Sequence, residues 1–286
     1  MAVPIPRGLV DACGPSAERA RWLAALPRAI ERLVREWRLE LGSPFLQEAS
    51  CSWVAPAWRH DGTAAVLKVG MPHFEGEQEI AGLRFWDADP TVRLLAADDG
   101  ANAMLLERCL PGTALRAQPE PEQDMVIADL LRRLWRSPSP PHPFRPLSAM
   151  LQRWNTETRA ASARWPDPGL VGDGLSFFGQ LPGTAPREVL LATDLHAGNV
   201  LAATRSPWLV IDPKPFVGDP AFDATQHLFN CGSRLRADPL GFIERVAGLL
   251  ALDAVRVRLW AFARAAAEPR DDWSTETMDL ARLLAP

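Results

Sequence analysis

Asp194 and Asn199 have four residues between them in the segment DLHAGN, and Asp212 ends a stretch with the pattern of a β-hairpin, VLAATRSPWLVID. A carboxylate beside a substrate hydroxyl can accept the proton that the hydroxyl loses as it attacks. One amide and one carboxylate supply the oxygen ligands that Mg²⁺ prefers, and Mg²⁺ keeps several of its waters. Because the hairpin folds the chain back, we expect all three side chains in one site.

Protein kinases use the same order: a catalytic-loop aspartate, an asparagine after four intervening residues, and a later metal-binding aspartate. Each element alone also occurs in ordinary loops, where DLHAGN would be a turn and Asp212 a strand end. The three rarely occur together with this spacing. The pattern therefore predicts phosphoryl transfer from ATP, with Asp194 as catalytic base and with Asn199 and Asp212 as Mg²⁺ ligands.

Lys68 and Lys214 are the only lysines in the chain. Lys68 lies in the apolar run AAVLKVG, where an unpaired ammonium would be costly, and we expect it to bind the ATP phosphates. Helical spacing places Glu79 on one stripe with Leu83 and Trp86, which favours Glu79 over Glu75 and Glu77 as the partner of Lys68. Lys214 could contact phosphate, or an acidic neighbour such as Asp219, or neither.

The first part of the chain has the pattern of a strand-rich unit. Apolar residues recur at helical spacing over 16–40, with Ser16 as N-cap and Pro27 as a point of kinking or division. The further elements predicted here are strands over 45–57 and 63–70, a helix over 74–87, and strands over 92–97 and 103–107.

From about residue 119 the pattern is mainly helical around one hairpin. Helices are predicted over 122–136, 146–164, 175–181, 219–230, 240–250, 253–267 and 273–284, and hairpin strands over 199–203 and 208–212. We place the boundary at Arg108–Gly112, which predicts an α+β fold of two lobes. Residues 1–108 would bind nucleotide, residues 109–286 would carry the catalytic loop and the substrate site, and ATP and Mg²⁺ would bind between them.

Charge and composition narrow the class of partner. The net charge of −4 argues against a nucleic-acid partner and suits a cationic small molecule, although solubility alone would explain it. The four cysteines have neither the spacing of a zinc site nor that of a disulfide framework. No run reaches the roughly 18 apolar residues of a membrane span, and we expect a cytoplasmic protein without a membrane partner.

DLHAGN followed by WLVIDPKPFVGDPAFDATQHLFNC resembles the aminoglycoside phosphotransferase superfamily, and most closely its streptomycin 6-kinase and hydroxyurea phosphotransferase branch. The resemblance covers about residues 45–250. It implies a protein-kinase-like fold, ATP and Mg²⁺ as cofactors, and phosphorylation of a hydroxyl on a small molecule. It also implies the roles given above to Asp194, Asn199 and Asp212, and the pairing of Lys68 with Glu79.

The resemblance extends to the connector LLERCLPG, residues 105–112, whose backbone would meet adenine around Glu107 and Cys109. Two features depart from the family. Ala192 stands where the family often has a histidine, and the segment SCSWVAPAW lacks GxGxxG. Backbone N–H groups and the hydroxyls of Ser50 and Ser52 would then have to cover the phosphates, with Trp53 nearby.

The acceptor is the least determined part of the prediction. A streptomycin-like substrate would need acidic contacts, for which the candidates are Glu157, Asp167, Asp271 and Asp272. Hydroxyurea or another metabolite remains an alternative, as does a catalytically silent nucleotide-binding module. A protein kinase is disfavoured, because neither DFG nor APE follows Asp212. We expect Asp219 to cap a helix, and Asp223 and His196 to brace the catalytic loop.

Overall fold

The computed structural model describes residues 3–45 and 51–286, and the chain divides into two compact units. The first unit extends to Thr113 and includes Leu201–Ile211. The second comprises Ala114–Val200 and Asp212–Pro286. A single boundary at residue 108 was predicted, whereas the chain enters the first unit a second time after the catalytic loop.

The first unit is built on an antiparallel sheet of five strands in the order β1-β2-β3-β5-β4. The strands are β1 (Leu39–Leu41), β2 (Ser52–Arg59), β3 (Ala64–Gly70), β4 (Leu94–Asp98) and β5 (Ala103–Glu107). The helices of this unit are α1 (Arg7–Cys13), α2 (Ala17–Trp37) and α3 (Glu79–Trp86). Helix α3 begins at Glu79, later than the predicted residue 74, and neither α1 nor β1 was predicted.

Helix α2 forms because apolar residues recur along one face. Leu26, Ile30 and Leu33 on that face are buried in a core that also contains Trp53 of β2 and Leu67 of β3. The helix begins as predicted, with the Ser16 hydroxyl accepting a hydrogen bond from Arg19 N at 3.4 Å. Pro27 lies inside the helix without dividing it.

The hairpin of β7 (Val200–Ala202) and β8 (Trp208–Val210) lies largely in the first unit. Gly112 N donates to Ala202 O at 3.0 Å, and Val92 N donates to Val210 O at 3.0 Å. Leu209 is fully buried in a cluster with Leu83 of α3 and its neighbours. These backbone bonds and apolar contacts explain why the hairpin belongs with the strands rather than with the helices that surround it in sequence.

The second unit consists mainly of helices, with one pair of short antiparallel strands, β6 (Val189–Leu191) and β9 (Phe216–Gly218). Its helices are α4 (Glu120–Leu134), α5 (Leu147–Ala160), α6 (Pro168–Gln180), α7 (Pro220–Asn230), α8 (Gly232–Ala237), α9 (Pro239–Leu250), α10 (Ala254–Ala267) and α11 (Thr275–Leu284). The predicted helices are present with shifted ends, and α8 was not predicted. Within the part of the chain that the structure describes, no helix is long and apolar enough to cross a membrane.

Sequence reasoning missed strands β6 and β9, which adjoin the predicted catalytic loop and Lys214. Each has only three residues, which is too short for a period to be recognised, and all three residues of β6 are buried, so β6 lacks the alternation of a half-buried strand. The catalytic loop, residues 192–199, leaves the end of β6, and Lys214 precedes β9. The short ladder therefore fixes the start of the loop and the position of Lys214 together.

Candidate active site

The catalytic loop is braced by a buried carboxylate on α7. Ala192 N and Thr193 N donate to the two oxygens of Asp223 at 3.0 and 2.8 Å. Trp135 Nε1 donates to the same group at 3.0 Å. Thr193, at a left-handed φ of 48°, also donates from its hydroxyl to Lys214 O at 2.6 Å. Asp223 thus has the bracing contacts predicted for it, and the loop backbone at Ala192 needs no histidine to hold it.

Asp194 follows this braced segment and has a partner on each carboxylate oxygen. Lys214 Nζ donates to Oδ2 at 2.5 Å, and Gln226 Nε2 donates to Oδ1 at 2.8 Å. The side chain keeps 23% of its accessible surface, so a substrate can reach it. The arrangement leaves an oriented carboxyl group beside a cation, which suits proton removal during attack on a phosphoryl group.

Asn199 is tied to the same loop. The side-chain Nδ2 of Asn199 donates to the backbone carbonyl oxygen of Asp194 at 3.0 Å, so the side-chain amide oxygen faces away from that bond. His196 Nδ1 accepts a hydrogen bond from Gly198 N at 3.1 Å, a bracing role within the loop as predicted. Burial lowers the pKa of His196, whereas the nearby Asp194 carboxylate raises it, and the net direction is downward.

Asp212 adopts a left-handed φ of 54° where the chain leaves β8 and re-enters the second unit. Aspartate tolerates this conformation better than most residues. Among the described residues, no group of three or more His, Cys, Asp and Glu side chains forms a metal cage. An amide oxygen from Asn199 and a carboxylate from Asp212 nevertheless fit Mg²⁺, which is commonly bound by one or two carboxylates together with substrate phosphates.

Lys68 and Glu79 form a buried ion pair in the first unit. Lys68 Nζ lies 2.7 and 2.6 Å from the two carboxylate oxygens of Glu79. Lys68 is in β3 between β2 and β5, and Glu79 is the first residue of α3. The side chains keep only 7% and 6% of their accessible surface, so each charge depends on the other. The predicted partner of Lys68 is thus the one present.

Other predicted nucleotide-binding residues also lie in the first unit. Ser52 begins β2 opposite Gly70, and Glu107 ends β5, where its carboxylate pairs with Arg205 at 3.1 Å. Glu107 N donates to Arg93 O at 2.9 Å. Burial raises the pKa of the Cys109 thiol to about 11, so this thiol is neutral.

Trp53 and Ser50 were also expected near the phosphates. Trp53 is buried in the sheet core, where its Nε1 donates to Pro4 O at 3.0 Å. It occupies an inward position of β2, and its bulk fills the space between the sheet and the N-terminal segment. Ser50 lies outside the described residues.

Lys214, Gln226 and Arg264 are functional candidates that sequence reasoning missed or left open. Lys214 pairs with Asp194. Asp219 caps α7, as predicted, by accepting a hydrogen bond from Ala221 N, and its Oδ2 accepts another from Arg256 Nε at 2.5 Å. The spacing of three residues between Asp223 and Gln226 could have indicated that both face the catalytic loop. No local signal points to Arg264.

The four acidic candidates for substrate contact separate into two groups. Glu157 and Asp271 line a cavity of about 270 Å³ together with Arg164, Arg270 and Trp273. Asp167 instead caps α6 by accepting from Leu170 N at 3.1 Å, and it pairs with Arg282 at 3.1 Å. These contacts lower the pKa of Asp167 and give it a structural role, and Asp272 is exposed.

Solved structures of other kinases share this fold. Choline kinase LicA from Streptococcus pneumoniae shares the fold, with a TM-score of 0.63 at 10% identity over 91% of this chain and 97% of that one. A thermostable mutant of aminoglycoside phosphotransferase APH(4)-Ia has a TM-score of 0.55 at 15% identity over 89% of this chain and 97% of that one. These similarities show the predicted α+β, protein-kinase-like fold.

The chain belongs to the family described as aminoglycoside/hydroxyurea antibiotic resistance kinases, which it matches over residues 38–271. A streptomycin 6-kinase from Streptomyces glaucescens is 37% identical over 92% of this chain and 88% of the relative. A hydroxyurea phosphotransferase from Kitasatospora aureofaciens is 34% identical over 92% of this chain and 78% of the relative. The predicted resemblance is confirmed, and the protein is a phosphotransferase.

Proposed function

We propose that this kinase uses ATP and Mg²⁺ to phosphorylate a hydroxyl of a cationic small molecule of the streptomycin type. The observation that carries the proposal is the setting of Asp194, a reachable carboxylate in a braced loop with Lys214 at 2.5 Å. The relatives support the acceptor class, because two streptomycin 6-kinases are 37% and 36% identical to this chain.

In the proposed reaction, Asp194 accepts the proton of the acceptor hydroxyl as the hydroxyl oxygen bonds to the γ-phosphorus. The bond between that phosphorus and the β,γ-bridging oxygen breaks, and ADP leaves with the bond's electron pair. Lys214 already neutralises Asp194 and is placed to offset the charge of an approaching phosphoryl group. Positioning and charge compensation dominate such a transfer, so a strong base is not required.

The remaining predicted residues have proposed roles in nucleotide binding. Asn199 and Asp212 would hold Mg²⁺, which supplies neutralisation of the phosphate charge. Lys68 would bind the phosphates while Glu79 fixes its ammonium, a role that fits the buried pair. Ser52 would approach the phosphates, and the backbone around Glu107 and Cys109 would approach adenine.

The acceptor would use the cavity that Glu157 and Asp271 line. Carboxylates hold guanidinium groups by paired, charge-assisted hydrogen bonds, and streptomycin carries two guanidinium groups. The Trp273 ring in this cavity already has a cation on one face, since Arg270 lies over it at 4.9 Å from the ring centroid. Arg164 and Arg270 also line this cavity, so it carries both signs of charge and would favour a substrate with the complementary arrangement of charges.

A substrate panel tests the proposal directly. Purified protein is incubated with ATP, Mg²⁺ and one candidate acceptor, which is streptomycin, kanamycin or hydroxyurea. The mass of the acceptor is then measured by mass spectrometry. We expect streptomycin to gain one phosphoryl group, about 80 Da, and kanamycin to be unchanged. The Asp194→Asn variant serves as the matched control.

Hydroxyurea is the second candidate, because a hydroxyurea phosphotransferase is 34% identical to this chain. Hydroxyurea is neutral and has few atoms, so it should bind weakly and gain little from acidic contacts. Modification of hydroxyurea without modification of streptomycin would overturn the acceptor proposal and leave the kinase assignment intact. A preparation that binds ATP but modifies none of the three would leave another acceptor or the silent nucleotide-binding module as the alternatives.

A further inference from the structure

A chain of polar contacts joins Asp194 to the interior of the second unit. Gln226 Nε2 donates to Asp194 Oδ1 at 2.8 Å, and Gln226 Oε1 accepts from Arg264 Nη2 at 2.8 Å. Arg264 in turn pairs with Glu268 through Nε at 2.9 Å and Nη2 at 3.1 Å. The side chains of Asp194, Gln226, Arg264 and Glu268 are thus connected in series, from the loop through α7 to the C-terminal end of α10.

The chemistry of this chain allows only one orientation of the Gln226 amide. A guanidinium has donors and no acceptors, so the group that faces Arg264 must be the amide oxygen. The amide NH₂ group must then face Asp194, which as a carboxylate only accepts hydrogen bonds. The reversed amide would place oxygen against carboxylate and NH₂ against guanidinium, and both contacts would be repulsive.

Arg264 is itself held rigidly enough to impose this orientation. It keeps only 5% of its surface, and Nη1 donates to Thr225 Oγ1 at 2.7 Å. Three aromatic rings surround its guanidinium with centroids 5.0–5.7 Å away, those of Trp154, Phe222 and Phe229. A buried cation with this many fixed partners cannot turn to follow a mobile amide.

We propose that Gln226 and Arg264 are positioning residues for phosphoryl transfer: Arg264 fixes the amide of Gln226, and Gln226 holds Asp194 in the orientation that accepts the proton. This inference rests on the proposed role of Asp194 as base. Neither residue touches the transferred group. Both act on the geometry of the carboxylate, where a displacement of about 1 Å can cost on the order of 100-fold in rate.

The first test is Gln226→Leu, which removes the amide and keeps a similar volume. We expect kcat to fall about 10- to 100-fold, in line with the loss of one hydrogen bond to a charged group. The KM for ATP should change less than about threefold, because an interaction that matters mainly in the transition state lowers kcat. Asn230→Ala, an exposed position on the same helix, is the matched control and should retain wild-type kcat.

The second test asks whether the effects pass through Asp194. In an Asp194→Asn background, Gln226→Leu should lower the residual turnover less than about twofold, because the carboxylate it positions is gone. Arg264→Met should reduce kcat in the wild type and have little further effect in Gln226→Leu. If Arg264→Met does not fold, as judged by its thermal melt, the comparison of Gln226→Leu in the two Asp194 backgrounds still decides.

The outcomes separate this inference from the function on which it rests. An inactive Asp194→Asn together with a fully active Gln226→Leu would refute the positioning role and leave the base assignment intact. An active Asp194→Asn would refute the base assignment itself. Equal losses from Gln226→Leu in both Asp194 backgrounds would show that Gln226 acts on stability rather than through Asp194.

Discussion

At the scale of single residues, Asp194 is the side chain whose surroundings are most specialised. It has one cationic partner, Lys214, and one neutral partner, Gln226, and part of its surface remains open. An ion pair alone would hold such a group in an inert salt bridge. A partner on each oxygen instead fixes the carboxylate plane while leaving lone pairs for a substrate hydroxyl.

Asp194→Asn should remove the base without altering the shape of the loop. We expect kcat to fall by about 10² to 10⁴, the usual cost of losing a general base. Nucleotide affinity, measured by calorimetry, should stay within about threefold of wild type. Asp129→Asn, an exposed aspartate on α4, is the control and should be fully active. Turnover near the wild-type rate in Asp194→Asn would contradict the assignment.

Protonation of Asp223 should make kcat fall at acidic pH. Complete burial raises its pKa to about 6, although hydrogen bonds from Trp135, Ala192 and Thr193 favour the carboxylate. Because the pKa lies above the ordinary 3.8 of an unfolded aspartate, this group favours folding most at low pH, and its contribution is lost as pH rises through 6. Protonation, however, replaces an acceptor with a donor at the catalytic loop.

We therefore expect kcat to fall as pH drops below about 6, although this group does not destabilise the fold in that range. The measurement is a pH–rate profile from pH 5 to 8 with thermal melts at each pH. Asp223→Asn should have low turnover with little pH dependence over that range. A flat wild-type profile between pH 5.5 and 7.5 would contradict the prediction.

At the scale of elements, α7 connects the catalytic loop to the helical core. Asp219 caps its start, Asp223 braces the loop and Gln226 holds Asp194. Further along the helix, His227 Nε2 lies 2.8 Å from Asp124 of α4, and both side chains are almost fully buried. Arg234 and Arg245 reach the same carboxylate from α8 and α9, so four helices meet at Asp124.

This cluster should make stability fall at alkaline pH. Burial opposes the imidazolium, but hydrogen bonds to Asp124 and Cys231 outweigh burial and raise the pKa of His227 to about 9. Since the ordinary value is 6.5, the contribution is fully present below pH 6.5 and is lost as pH rises through 9. Burial opposes ionisation of Asp124, but hydrogen bonds from His227, Arg234 and Arg245 outweigh burial and lower its pKa, which agrees with an ionised pair.

We expect urea unfolding to give a lower free energy at pH 9.5 than at pH 6.5 in the wild type. His227→Phe should be less stable at pH 6.5 and should lose most of this pH dependence, because no titrating group remains opposite Asp124. His60→Phe, a position in the exposed turn after β2, is the control and should keep the wild-type dependence. Equal wild-type stability at the two pH values would refute the role of the pair.

At the scale of the whole molecule, the two units carry different parts of the predicted nucleotide site. Lys68 and Glu79 belong to the first unit, whereas Asn199 and Asp212 belong to the second. The chain passes between the units at Val200 and again at Asp212, next to two of the predicted metal ligands.

Binding of ATP with Mg²⁺ should therefore stabilise the protein, and substitutions in either unit should weaken the effect. At 100 times the dissociation constant the stabilisation is about 2.7 kcal/mol, which corresponds to several degrees in a thermal melt. The shift should shrink in both Lys68→Ala and Asp212→Ala and persist in Arg35→Ala, an exposed position on α2. A shift that survives Lys68→Ala unchanged would remove Lys68 from the nucleotide site.

The sequence by itself determined the class of enzyme and the main candidate residues. Asp194, Asn199 and Asp212 are close along the chain, and a hairpin relates them, so spacing alone was informative. The pairing of Lys68 with a helix glutamate followed from the family resemblance, and helical periodicity, a local property, favoured Glu79 over Glu75 and Glu77. The long helices followed from the same periodicity, with errors of a few residues at their ends.

Only the tertiary structure decided how the carboxylate of Asp194 is held. Gln226, 32 residues after Asp194, donates to it, and Arg264, 70 residues after Asp194, reaches Gln226 because α7 and α10 pack together. The short strands β6 and β9, and the placement of the hairpin with the first unit, also depend on partners distant in sequence. Periodicity reports which face of an element is buried, but it does not report which element covers that face.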